Sequence, residues 1–156
     1  MEYIGEFLGK YLFYIWLGLA ILLFTFLIIR GKKVLMQFAN IDLNNVVYSE
    51  KNASGHVVRQ TQTRRAGTTK MLHIIITDQE LIFKTNLFFA HIAAENDMLH
   101  RIPLTNILQM EFKKGRFSSK LYIKFRTIHG EEKVVIIQSK NNLRIQSILE
   151  QYIWLD

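Results

Sequence analysis

The chain contains no cysteine. Disulfides, thiolate catalysis and Cys-ligated zinc are therefore excluded, though the absence says little about compartment. Local signatures of catalysis and nucleotide handling are missing too: there is no P-loop, no GxGxxG and no GxSxG. Ser118 and Ser119 have no base beside them in any readable motif. The histidines His56, His73, His91, His100 and His129 are scattered, and no two of them stand at helical ligand spacing. His91 and His100 flank Glu95 and Asp97, the one faint combination of metal-ligating types, while His73 falls within a strand pattern. These observations point to a chain without catalytic residues, metal or cofactor. No nucleic-acid-binding module is readable either, so no nucleic-acid partner is expected.

Charge is absent from one long stretch. Residues 11–29 read YLFYIWLGLAILLFTFLII, with no charged residue, Pro, Asn or Gln. At about 1.5 Å per residue, a helix of this length reaches roughly 28 Å, close to the ~30 Å hydrocarbon core of a bilayer. A helix satisfies its backbone polar groups internally, as lipid requires. Tyr11, Tyr14 and Trp16 would form an interfacial belt at one end, and Arg30, Lys32 and Lys33 close the other. A cleavable signal peptide fits poorly: Glu2 and Glu6 precede the run, which is too long and has no small-x-small site after it. A buried core helix would need a larger body around it. The positive charge after the span predicts a single-pass protein, N-terminus outside and C-terminal domain cytoplasmic. The sequon at Asn52, Ala53 and Ser54 is then a chance match.

The chain's net charge is +7, with 20 Lys+Arg against 13 Asp+Glu. Residues 1–30 hold two of each sign (Lys10, Arg30, Glu2, Glu6), so the whole surplus lies downstream. A basic domain tethered to a bilayer has anionic lipid as its nearest polyanion. An acidic protein face is the other candidate.

The organisation expected is a short segment over 1–10, a transmembrane helix over 11–30, a juxtamembrane stretch over 31–43 and a β domain over 44–156. Residues 31–43 either continue the helix or lie along the membrane surface, with Val34, Leu35, Phe38 and Ile41 at helical spacing. Thereafter the period is that of strands. Residues 46–50 and 56–64 read as two strands. Residues 72–77 (LHIIIT) read as a strand buried on both faces, turning at Asp78 and Gln79 into a partner over 81–85. Residues 86–97 read as a long hairpin tip. A short strand ends at Pro103, the sole proline, which suits an edge or a strand end. Residues 107–113 place Leu108, Met110 and Phe112 inward. Residues 120–128 alternate with Leu121, Ile123 and Phe125 inward, and 133–138 pair back after a turn at 129–131. Asn141 or Asn142 can cap a last helix, with Ile145, Ile148, Leu149, Tyr152 and Ile153 on one stripe.

This order of elements resembles the pleckstrin-homology-like superfold, in particular its GRAM and bacterial PH branch. Three patterns carry the resemblance: IIITDQELIF (74–83) for the strand–TD–strand hairpin, RIPLTNILQMEF (101–112) for the IPLxxI segment, and the final hairpin with its helix. The fold class expected is an N-terminal transmembrane α-helix plus a mainly β, PH-like domain. Its roughly seven antiparallel strands would form a sandwich or partly open barrel, capped by the C-terminal helix. The resemblance implies binding to lipid headgroups or peptides, not catalysis. Its phosphoinositide signature is met in part, by Lys51 and Arg59, with Thr61 where a second Arg would fall.

Two basic loops are the candidate anion-binding residues: Lys113, Lys114, Arg116 and Lys120 on one turn, and Arg64, Arg65 and Lys70 on another. Gly115 and Phe117 belong to the first turn, where amides and a ring would add to the grip. Two functions follow. One is a membrane-anchored binding or scaffolding module with its basic loops on anionic headgroups or an acidic partner. The other is an accessory structural subunit of a larger membrane complex, with a protein partner or oligomer in the membrane and incidental basic loops.

Overall fold

The computed structural model describes residues 2–58, 67–116 and 118–153. A continuous helix α1 (Glu2–Leu35) runs through the apolar stretch and ends in a 3-10 turn, Met36–Phe38. One helix is thus long and apolar enough to cross a membrane, and its apolar window is not buried inside the protein. Seven strands follow: β1 (Val46–Val58), β2 (Gly67–Thr77), β3 (Glu80–Lys84), β4 (His100–Pro103), β5 (Ile107–Lys114), β6 (Ser119–Arg126) and β7 (Glu132–Gln138). A short helix α2 (Ala90–Glu95) interrupts β3 and β4, and α3 (Asn142–Ile153) closes the described chain.

The strands form one antiparallel sheet in the order β4-β3-β2-β1-β7-β6-β5. β1 is the shared strand. It pairs with β2 from Val46 to His56 and with β7 from Ser54 to Val58, Ser54 opposite Gln138 and Val58 opposite Val134. Register shifts between Glu50 and Ala53 and between Ala53 and Gly55 bend it, and Asn52 sits at φ 65° there. A bulge of this kind lets one strand serve two wings of a sheet. Residues 46–50 and 56–58 are therefore parts of one strand rather than two. Residues 59–64 of that expected second strand lie outside the described residues.

Both wings fill one core. Leu72, Ile74, Ile76, Leu81, Phe83 and Ile102 meet Leu121, Ile123, Phe125, Val135 and Ile137, with Ile145 and Leu149 of α3 packed among them. The closing helix buries the stripe read from its sequence, Ile148, Tyr152 and Ile153 lying half-buried against the same cluster. A second cluster lies on the other face of the first wing, where Phe38 covers Ile75 and Ile82, flanked by Leu35, Ile41 and Val46. That cover explains why LHIIIT is buried on both sides: the chain leaving α1 packs on the sheet.

The TD hairpin is held by Thr77, whose hydroxyl accepts from the Gln79 and Glu80 amides at 3.3 and 2.9 Å. Pro103 ends β4, an edge strand, as its missing N–H requires. Residues 86–97 join β3 to its antiparallel partner β4, as a hairpin connection does, and they hold α2, with Ala90 and Ala93 buried. One expectation needs correction. Leu108 is not inward but 42% exposed. Ile107 faces Phe125 and Gln109 faces Lys124, so Leu108 is the extra residue of a bulge and loses its inward phase. Asn142 begins α3, yet its buried side chain turns back to the sheet, accepting from Ser139 N at 3.1 Å and donating to Ser119 O at 2.9 Å.

Candidate anion-binding cleft

The β5–β6 turn closes with Gly115 N donating to Ser118 O at 3.1 Å. Lys113 lies opposite Lys120 in the ladder. It pairs with Glu111 at 3.1 Å and stands 4.9 Å over the Tyr122 ring. Lys114 and Arg116 are exposed and Lys120 is half-buried. Phe117, Arg64 and Arg65 lie outside the described residues. Lys70 is exposed at φ 54°, with its amide donating to Ser54 Oγ at 2.9 Å.

A cleft of about 670 Å³ forms where β1 bends away between the two wings. Lys51, Asn52 and Ser54 of β1 line it, with Lys70 of β2, Ser118 and Ser119 at the β5–β6 turn, and Gln138, Ser139 and Lys140 after β7. Of the expected anion-binding residues that are described, Lys70 alone lines this cleft, and it lies in β2. The first turn contributes its serines, and Lys113, Lys114, Arg116 and Lys120 are not among the lining residues. Lys51, named only through the resemblance's signature, and Lys140, which no sequence pattern singled out, are the other lining cations. Among the described residues none of Lys51, Lys70 and Lys140 is in a salt bridge.

Among the described residues the carboxylate lining the cleft is Glu50, and it is engaged inside the protein. Ser139 Oγ donates to it at 2.6 Å and Tyr48 OH at 2.5 Å. Burial, and then the hydrogen bond to Glu50, push the Tyr48 phenol up to about 12. The arrangement ties β1 to the turn before α3. Ammonium groups beside hydroxyls suit a phosphate or carboxylate ligand.

A smaller cleft of about 290 Å³ lies between Gln37 and Phe38 at the end of α1 and the β6–β7 turn. Its charges are spent internally. Lys133 binds Asp97 at 2.7 Å, and Arg101 donates to Glu80 through Nε and Nη2 at 2.9 and 2.7 Å. His100 stacks edge-on against Phe125 at 5.1 Å, and burial lowers its pKa despite Asp97 beside it. His91 pairs with Glu95 at 3.2 Å and with Arg30 at 3.1 Å. Among the described residues no three His, Asp or Glu stand close enough to hold a metal.

No family model matches the chain, and no curated protein matches it. Solved structures do. The C-terminal domain of an unknown protein from Leishmania infantum aligns at 14% identity and a TM-score of 0.43, over 80% of this chain and 94% of that one. The DH/PH domains of PDZ-RhoGEF, in complex with activated RhoA, align at 11% identity and a TM-score of 0.46, over 76% of this chain and 32% of theirs. The DH/PH domains of p115-RhoGEF align at 12% identity and 0.43, over 77% and 34%. The chain spans about a third of the length of these two exchange-factor chains.

Proposed function

We propose that the chain is a membrane-anchored binding module, not an enzyme, whose lysine cleft faces the anionic headgroups of the bilayer that α1 crosses. Residues 11–30 are the span and 44–156 the binding domain, on the cytoplasmic side. Tyr11, Tyr14 and Trp16, all exposed, belong to the outer interface. Arg30, Lys32 and Lys33, also exposed, belong to the inner one, as the positive-inside bias favours.

The observation that carries this reading is the convergence of Lys51, Lys70 and Lys140 on one cleft without a paired carboxylate among them. A relay of contacts from Lys70 to α1 supports the membrane as ligand. Lys70 is followed by Met71, whose carbonyl accepts from the Thr85 hydroxyl at 2.8 Å. Two residues on, Leu87 touches Gly31 of α1. Each lysine near an anionic surface contributes about 1 kcal/mol. Hydrogen exchange tests the reading. The full chain is placed in nanodiscs of phosphatidylcholine, alone or mixed with phosphatidylserine. The amides at 50–54, 69–71 and 118–119 should slow only in the anionic discs, and equal rates in both sink the proposal.

The second reading, an accessory subunit of a membrane complex, has one observation in its favour. β5 is an edge strand, and it presents Leu108 to solvent. Exposed edges invite pairing with another chain.

A further inference from the structure

We infer that residues 87–92 form a second membrane contact, a shallow apolar wedge that enters the same leaflet beside α1. The inference rests on the reading of α1 as a span. The segment is not remote from that helix. Phe88 meets Phe24 edge to face, ring centroids 6.3 Å apart. Gly31 lies against the Leu87 carbonyl. His91 Nε2 is 3.1 Å from Arg30 Nη1.

These contacts fix depth. Phe24 stands six residues before Arg30 on a helix rising about 1.5 Å per residue, roughly 9 Å further into the bilayer. With Arg30 at the headgroups, Phe88 is level with the upper acyl chains. Interfacial helices typically bury their apolar face ~5–10 Å below the headgroup boundary. The polarity of the segment matches this placement. Phe88 is 45% exposed and Ile92 47%, while Ala90 and Ala93 are buried in the domain. His91 and Glu95 pair beside Arg30 at headgroup level. Phe88, exposed at the depth of a lipid-facing phenylalanine, has lipid as its natural cover, and Ile92 is the second exposed apolar side chain of the same segment. With Phe38 seated on Ile75 and Ile82, the wedge leaves the domain one orientation against the membrane.

The chain has no cysteine, so single labelling sites are unambiguous. Phe88→Cys and Ile92→Cys, both exposed positions, are spin-labelled in the full chain in lipid nanodiscs, with Leu19→Cys and Lys114→Cys as references. Accessibility to lipid-dissolved oxygen is compared with accessibility to a water-soluble nickel chelate. The inference expects the ratio at both wedge positions to shift toward that of Leu19 and away from that of Lys114. Wedge labels that match Lys114 while Leu19 reports lipid overturn the wedge and leave the span standing. Labels shielded from both reagents indicate protein cover, from a second copy or a partner, and overturn it also. A Leu19 label that itself reports water removes the span and the wedge together.

Discussion

Gly31 packs its Cα against the backbone carbonyl of Leu87, so closely that a methyl group would overlap the oxygen. The obstacle is main chain, which cannot rotate aside as a side-chain tip can. Ala is the better helix former, so Gly31→Ala should preserve α1 while prising the 86–97 segment away. A local cost of about 1–3 kcal/mol is expected for overpacking of this kind. Hydrogen exchange at 87–96 should quicken. Gly18→Ala, where a Cβ meets nothing within 4 Å, should leave those amides unchanged.

The Glu50 carboxylate joins β1 to the turn before α3 through Ser139, and Tyr48 of the same strand also donates to it. Hydrogen bonds to a charged group contribute about 1.5–3 kcal/mol. Ser139→Ala should lower stability by that order in chemical denaturation, with Tyr48→Phe similar. An unchanged midpoint in both would show that the network is not holding the cleft wall.

Burial first, then Lys84 and Lys51 nearby, depress the pKa of His73 from 6.5 to about 4. The folded state therefore resists protonation that the unfolded chain accepts. Stability from this group is present above pH 6.5 and is lost as pH falls toward 4. His100, also lowered by burial, acts in the same direction. Thermal unfolding should show a midpoint that falls between those pH values, and His73→Gln should flatten part of the slope.

Reversal of the cleft lysines separates them from the other cations. Lys51→Glu, Lys70→Glu and Lys140→Glu together should remove the anionic-lipid protection. Lys114→Glu with Arg116→Glu, outside the lining residues, should weaken it less. Equal losses in the two variants would return the site to general surface charge.

Much of the fold was legible because it is local. The apolar span, the TD hairpin, the alternation of Leu121, Ile123 and Phe125, and the stripe on α3 are periodicities within one element. What escaped was relational. AHIAAE is too short for a helical period to show, and its helix is held by packing of Ala90 and Ala93. Leu108 kept perfect alternation in sequence and lost it to a bulge that only the β5–β6 register reveals. The cleft is the plainest case. Lys51, Lys70 and Lys140 are far apart in the chain and meet because β1 pairs with both β2 and β7. Lys70 stands in a basic stretch and Lys51 in the resemblance's signature, but Lys140 carries no such mark, and the meeting of the three depends on a pairing that no local pattern shows.

The most direct test of the cleft's orientation leaves all three lysines in place. Ser118→Cys, on the cleft wall, carries a fluorescent donor in the full chain, with an acceptor on the nanodisc headgroups. Transfer should be stronger in phosphatidylserine-containing discs than in neutral ones. It should fall as added salt shortens the screening length below the ~10 Å of 0.1 M. Transfer that is equal in both lipids and flat across the salt series would contradict the account.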